Sequence, residues 1–375
     1  MKFLFVAPRY HPNQVPIIEG LIDSGNEVMF CVSRSNESEN HGRATVKVLR
    51  PSIVSVIDSK LKKKKNINME DYMISAFVPN LWDVLSSLIK YKPDVIILRE
   101  KYRMTFLFYV FSRILIRCKR ILYTQMPLYI KEDDSFPKNL IEKAMSLTTM
   151  TTCMYEEYPD DKLTYKKRDN TYFIPFVIRK NRKVRKARNI EIVRIFDSGK
   201  YRPYKNHLLL IEAAYGVIQA GYKNFTIDIV GQCITDDEKK YFMLMKKKIA
   251  EYHLEKIVHL REEITYSEME EEFLHSDIYI LPSDHERANI SILDAMSFGV
   301  PVIATKSNGT SSYIKDGETG YVFNNNNVDD LKEKMLVYLK NTELINFHGE
   351  NAYKMCSENY NFEKYYQSIK KIINE

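Results

Sequence analysis

Through the N-terminal half of the chain, short runs of branched and aromatic residues alternate with longer stretches whose apolar positions recur every three or four places. Lys2–Ala7 and Glu27–Val32 read as strands, as do residues 94–98, entered from Pro93, and 120–124. Residues 15–24, 81–91 and 104–118 read as the helices between them. The pattern resets near Asn189. Strands are expected at 191–196, 226–230, 257–260, Ile278–Leu281 and 300–304. Helices are expected from 207 to 220, where Asn206 can cap the start and Gly221 the end, and at 236–252, 267–275 and 289–298. Two further helices and an amphipathic one around 362–373 complete the chain. Strands alternating with helices indicate parallel βαβ units, so the fold class is α/β with two doubly wound, Rossmann-like halves. The expected domains are residues 1–178 and 179–359, with the helix at 360–375 packing back on the first. The halves share a layout but no sequence repeat.

At 375 residues the chain is too long for one ordinary core and comfortable for two. Hydrophobic residues make up 45% and charged residues 28%, a globular balance. Lysine and arginine (56) exceed aspartate and glutamate (49) by seven. That excess equals the seven basic side chains of residues 179–188, RKNRKVRKAR, which read most simply as a solvated linker between the halves. Cys31, Cys118, Cys153, Cys233 and Cys356 are scattered and form no CxxC pair, which fits a reducing cytoplasm better than a disulfide framework or a zinc site. The apolar run at residues 3–7 is too short for a signal-peptide core. No stretch reaches the roughly 18 uncharged apolar residues of a membrane span, since Arg113 interrupts the nearest, 105–116. The expected location is the cytoplasm.

Several motifs are missing. No two glycines stand two apart, which excludes the GxGxxG dinucleotide fingerprint. Gly199–Lys200 has no glycine five positions upstream, and His285–Glu286 lacks the second histidine of HExxH. No aspartates stand two apart, so the Asp-x-Asp metal clamp is absent too, and no metal or cofactor is expected.

Two constellations remain. Asp197-Ser-Gly-Lys-Tyr-Arg-Pro-Tyr-Lys-Asn206 follows the first strand of the second half, where open α/β sheets bind ligands. Gly199 lets the backbone turn close to a ligand, and Lys200 and Lys205 flank it with fixed positive charge of the kind a diphosphate leaving group needs. Alone, two lysines in a polar loop are ordinary surface residues. The second runs from Leu281 to Asp294, from a strand end into a helix, with Glu286 before the helix and Asp294 within it. A carboxylate at a helix mouth can bind sugar hydroxyls, the first-turn amides near Asn289, Ile290 and Ser291 can hold phosphate, and Asp294 can reach a ribose diol. Alone, each acid is more simply a solvent-facing residue favoured by the helix dipole.

Taken with Ala295-Met296-Ser-Phe-Gly299-Val-Pro301-Val302, Asn308-Gly309-Thr310 and Asp316-Gly317-Glu-Thr-Gly320, these segments resemble the large retaining family of GT-B glycosyltransferases that includes sucrose-synthase-like and capsule-assembly enzymes, glycosyltransferase family four. That family shows Gly-Arg-x4-Lys, Glu-x7-Glu and Ala-Met-x-x-Gly-x-Pro-Val. The chain has Gly199-Lys200-x4-Lys205 and Glu286-x7-Asp294 in the first two places, and the likeness covers essentially the whole second half. It implies two Rossmann-like domains facing a cleft, with a nucleoside-diphosphate sugar held by the C-terminal one. Lys200 and Lys205 would contact the diphosphate, Glu286 the sugar and Asp294 the ribose, with Gly199 and Gly231 lining the site, Gly231 near the base. The reaction would retain configuration without a metal, the leaving phosphate oxygen taking the acceptor's proton. The partner would be a glycan or lipid-linked glycan in bacterial surface-polysaccharide assembly. The chain departs from the family at Lys200 for arginine, a point charge in place of a fork, and at Asp294 for glutamate. It departs again at Arg9-Tyr-His-Pro-Asn13-Gln14, where paired glycines are usual, and at Gln125, where many relatives carry histidine. Asn13, Gln14 and Gln125 are the acceptor-side candidates, and no general base is assigned.

Rival readings are a GT-B nucleotide-sugar epimerase or phosphorylase, a non-catalytic nucleotide-sugar binder, and a nucleic-acid-binding protein. The last has against it basic runs without interleaved aromatics. The basic runs 62–65, 166–168 and 179–188, beside the apolar helix at 104–118, also suit peripheral contact with an anionic membrane. The alternative there is a helix buried on its sheet with merely solvated charges.

Overall fold

The computed structural model describes residues 1–35, 42–63, 74, 76–132, 145, 147–180, 182–262 and 264–374. In chain order the elements are β1 (Lys2–Ala7), α1 (Val15–Asp23), β2 (Glu27–Val32), β3 (Thr45–Val48), α2 (Ile53–Lys63), α3 (Leu81–Ile89), β4 (Val95–Arg99), α4 (Arg103–Leu115), β5 (Lys119–Thr124), β6 (Tyr129–Lys131), β7 (Thr148–Thr151), β8 (Tyr165–Lys167) and β9 (Thr171–Phe173). There follow β10 (Val193–Ser198), α5 (His207–Gln219), β11 (Phe225–Gly231), α6 (Asp236–Glu251), β12 (Val258–Glu262), α7 (Tyr266–His275), β13 (Ile278–Leu281), α8 (Ser291–Ser297), β14 (Val302–Thr305), β15 (Gly320–Phe323), α9 (Val328–Lys340), α10 (Glu343–Asn359) and α11 (Phe362–Asn374). They form two compact units. The first comprises Met1–Thr152, Tyr165–Val177 and Phe362–Glu375; the second comprises Cys153–Thr164 and Ile178–Asn361. The segment 153–164, expected in the first half, thus belongs to the second unit.

In the first unit, one sheet runs in the order β3-β2-β1-β4-β5-β7-β9, all parallel, and β6 and β8 pair separately and antiparallel. Both faces are covered, which is why its central strands are apolar at successive positions. Phe3, Phe5 and Ala7 pack with residues of α1 and α11, while Leu4 and Val6 pack on the other face with Val84 and Leu88 of α3 and Phe108 of α4. Helix α11 buries Tyr365, Ile369 and Ile372, and its Tyr366 hydroxyl accepts from Asn26 Nδ2 at 3.0 Å. Helix α4 turns Met104, Phe108 and Tyr109 inward, and Arg120 donates to the helix's last carbonyls at Ser112 (2.9 Å) and Ile116 (3.2 Å). Part of the basic cluster expected beside an apolar membrane-facing helix is therefore a C-terminal cap. Of the run 62–65, Lys64 and Lys65 lie outside the described residues.

In the second unit, the strands run β12-β11-β10-β13-β14-β15, again all parallel. Reciprocal capping boxes, Thr235 with Glu238 and Thr265 with Glu268, start α6 and α7, and Asn327 caps α9. The basic stretch 179–188 is not the solvated linker its charge suggests. The side chains of Arg182 and Arg185 are only 5% and 4% exposed. Arg185 donates to the fully buried Asp277 at 2.6 Å and to Asn346 at 3.0 Å, and its amide to Phe298 O at 2.8 Å. Arg188 reaches the same aspartate at 2.9 Å, and the Arg194 amide completes its shell at 2.9 Å. A carboxylate at the rim of the sheet binds the stretch to the unit, while Lys180, Lys183 and Lys186 face water.

Candidate active site

The strand order of the second unit reverses direction between β10 and β13, which pair directly. Open α/β sheets bind ligands beyond the strand ends at such a point. The two loops expected to carry chemistry leave these two strands. In the first, the Gly199 amide bonds Val230 O at 2.9 Å, and a Cβ on Gly231 would lie 2.2 Å from Gly199 O. Glycine at 231 is thus required by close backbone packing against the lysine loop. Beneath the loop the buried Asp197 and His207 meet at 2.7 Å, and the far nitrogen of the ring lies 3.4 Å from Lys200 O. Arg202 is tied to Glu238 at 2.9 Å. Asn206 closes the loop with φ +57, and His285 opens the second loop with φ +51, two left-handed non-glycine residues. Such strain collects at functional sites.

Lys205 and Glu286 join the two loops. Lys205 Nζ donates to both oxygens of Glu286, at 2.7 and 2.9 Å, with side-chain exposures of 8% and 23%. Asn289 Nδ2 donates to Glu286 Oε2 at 3.1 Å, and Asn289 Oδ1 accepts the Ser291 amide (2.8 Å) and hydroxyl (2.5 Å). The Tyr279 hydroxyl donates to Ser291 Oγ at 2.8 Å and lies 3.0 Å from Ser198 Oγ. Burial pushes the Tyr279 phenol well above its usual range, so it stays protonated and donates. The backbone of Glu286 is fixed as well: its carbonyl accepts the Gly309 amide at 2.9 Å, and a Cβ on Gly309 would sit 2.5 Å from Arg287 O. Asp284 is held by Ser307 at 2.7 Å, and its amide donates to Tyr204 O at 2.7 Å, a second bridge between the loops.

Lys200, half-buried, stands in the same loop as Gly199 and Lys205. Helix α8 begins at Ser291, two residues later than its pattern suggests, because Asn289 folds back on the Ser291 amide. A phosphate oxygen reaching that amide would first displace the Asn289 carboxamide, whereas the Ile290 carbonyl already accepts the Asp294 amide at 2.9 Å. Asp294 has a partner the sequence did not suggest. Arg182 Nη1 donates to its Oδ1 at 2.8 Å and to Ser297 Oγ, and the guanidinium lies 4.3 Å from the Phe298 ring centre. Among the acceptor-side candidates of the first unit, Gln14 is buried and lines a small cavity with Tyr123, Thr152 and Tyr365. Asn13 Oδ1 is buried with no hydrogen-bond partner among the described residues, and the Gln125 amide bonds Glu100 Oε1 at 2.7 Å. Tyr279, Arg182 and the Asp197–His207 pair escaped the sequence reading. Their only signals were an aromatic in a strand, a basic run and two polar residues ten apart.

Residues 178–355 match the family model described as glycosyl transferases group 1. The second unit is a group 1 glycosyltransferase domain. An uncharacterized glycosyltransferase of Methanocaldococcus jannaschii, MJ1069, is 22% identical over 98% of this chain and 97% of its own. Other matches are partial. A second M. jannaschii glycosyltransferase, MJ1178, is 34% identical, but the match spans only 27% of that protein and 26% of this chain. The Escherichia coli UDP-Gal:alpha-D-GlcNAc-diphosphoundecaprenol alpha-1,3-galactosyltransferase is 26% identical over 46% of this chain and 43% of its own. Among solved structures, Anabaena HepE in complex with UDP-glucose superposes with a TM-score of 0.72 at 14% identity, covering 100% of this chain and 99% of that one. The fold is that of the GT-B glycosyltransferases.

Proposed function

We propose that this group 1 domain transfers a sugar from a nucleoside diphosphate to an acceptor hydroxyl with retention of configuration. The observation that carries the reading is the Lys205–Glu286 pair at the strand-order reversal, where both loops meet. Lys200 and Lys205 supply the positive charge that stabilises a departing diphosphate, most effectively in a site partly shielded from water. Glu286, oriented by Lys205 and Asn289, is the acceptor for donor-sugar hydroxyls. Asp294 gives one oxygen to Arg182, which leaves the other for the ribose diol. The leaving phosphate oxygen then takes the acceptor's proton on the face it departs from. The lysines stand in for a cation, so we propose that no metal is required.

The acceptor we propose is a glycan or lipid-linked glycan of surface-polysaccharide assembly, supported by the undecaprenol-linked acceptor in the E. coli relative's name. We place the reaction in the cytoplasm, consistent with five cysteines that form no disulfide among the described residues. A thermal-shift panel of nucleoside diphosphates and their sugars tests the donor site, because a ligand of the folded state alone raises the midpoint. NMR of the product with the donor found should show the anomeric configuration kept, and activity should survive a chelator. Inversion, or a strict need for manganese or magnesium, would refute the mechanism.

A further inference from the structure

Helix α2 of the first unit is amphipathic the wrong way round for a core helix. Its buried side carries Ser55, 2% exposed, whose hydroxyl accepts the Val78 amide at 2.7 Å, with Asp58 and Ser59 half-buried beside it. Its outer side carries Ile53, Val54, Ile57 and Leu61, with Ile53 79% exposed. At 100° per residue these four and Lys60 fall on one continuous arc. The arc is extended by α3. Residues 50–52 run beside 78–80 through the Ser52 amide to Val78 O (2.9 Å), the Asn80 amide to Arg50 O (2.7 Å) and a Pro51–Pro79 bridge. The starts of α2 and α3 are therefore side by side. Trp82, the single tryptophan of the chain, follows on α3 and is 73% exposed.

We infer that this face of the first unit is an interfacial anchor that lies in the surface of an anionic lipid bilayer. An aliphatic arc with lysine on its edge and tryptophan at its rim is the composition of a helix lying in the headgroup boundary. The charge is complementary, since Lys60 is exposed on the arc and the sequence continues with lysine at 62 to 65. Each lysine near such a leaflet strengthens partition about fivefold. A twofold dimer through this face would instead bring the two copies of the exposed Lys60 toward one another. The inference does not depend on the transferase reading, because binding is read without any donor.

Trp82 is the probe. With vesicles of mixed phosphatidylglycerol and phosphatidylcholine at low salt, its emission should shift to the blue and the protein should sediment with the lipid. Pure phosphatidylcholine should give little of either, and high salt should weaken both. Ile57→Asp and Leu61→Asp change exposed positions and should leave the melting curve close to wild type while weakening partition by about tenfold or more each. Absence of binding to anionic vesicles at low salt would overturn the inference. So would variants that bind like wild type, or an Ile57→Asp change that converts a dimer to a monomer without altering vesicle binding.

Discussion

Removing Lys205 should do two separable things, because the structure gives it two roles. The ammonium is almost buried and bonds both oxygens of Glu286 at 2.7 and 2.9 Å. In Lys205→Met the packing of the stem is largely kept, and Glu286 retains only Asn289 among these contacts. Hydrogen bonds to charged groups contribute about 1.5–3 kcal/mol each, so the second unit should lose roughly that much stability. For a domain of its size this is a fall in Tm of roughly 3–12 °C. With a demonstrated donor, the same loss expressed in the transition state lowers turnover by about one to two decades. Glu286→Gln should lower turnover more than it lowers affinity for the free nucleotide, since its proposed partner is the sugar. The double variant decides whether the pair acts as a unit. Residues in contact couple by about 0.5–3 kcal/mol, so Lys205→Met with Glu286→Gln should cost less than the sum of the two single changes. The assay is chemical denaturation beside steady-state kinetics for all four proteins. Additive losses within about 0.5 kcal/mol would show two independent side chains and refute the reasoning.

Three further outcomes follow from named contacts. Asp277→Ala strands the buried Arg185 cation and should destabilise the second unit by about 3–5 kcal/mol, measured as a lowered denaturation midpoint; an unchanged midpoint would return residues 179–188 to the status of a solvated linker. Gly231→Ala must move the Gly199 carbonyl from 2.2 Å, so it should weaken donor binding in a titration by at least as much as it lowers stability. Burial would raise the Glu238 carboxyl, but the Thr235 amide, the Arg202 guanidinium and the Ile234 amide outweigh it and hold it at about 2 against an ordinary 4.5. A carboxyl lowered on folding stabilises above its unfolded value, so the gap between wild type and Glu238→Gln should be full above pH 4.5 and close as pH falls toward 2.

The sequence made the central elements legible because doubly covered parallel strands and their helices obey strong periodicities. Strands β1, β2 and β13 have the bounds their apolar runs suggest. Elements that break those rules went unread. Strands β6 and β8 are three residues each, β7 is Thr-Thr-Met-Thr, and α2 turns its apolar side outward, where a pattern argument places the core. The two candidate loops were legible as sets of residue types at fixed spacing. Their partnership was not, since Lys205 and Glu286 stand 81 positions apart and only the parallel β10–β13 pairing brings them together.

The arginines show why charge in a sequence is a poor guide to charge at a surface. Arg182, Arg185 and Arg188 recur every third residue, but their carboxylates, Asp294 and Asp277, lie about ninety or more positions away. Three arginines of the run are thus paired with carboxylates of the unit it crosses, while its lysines stay exposed. This also bears on Asp294, which stands where the resembling family carries glutamate. A shorter carboxylate reaches less far toward a ribose, but it is held by a guanidinium that is itself stacked on Phe298. A fixed carboxylate loses less conformational entropy when a diol binds than a free glutamate would. The shorter side chain and the arginine partner therefore act in opposite directions on the proposed ribose contact. Arg182→Met should expose the balance: nucleoside affinity falls if positioning dominates, and is unchanged or rises if Arg182 merely competes for the oxygen.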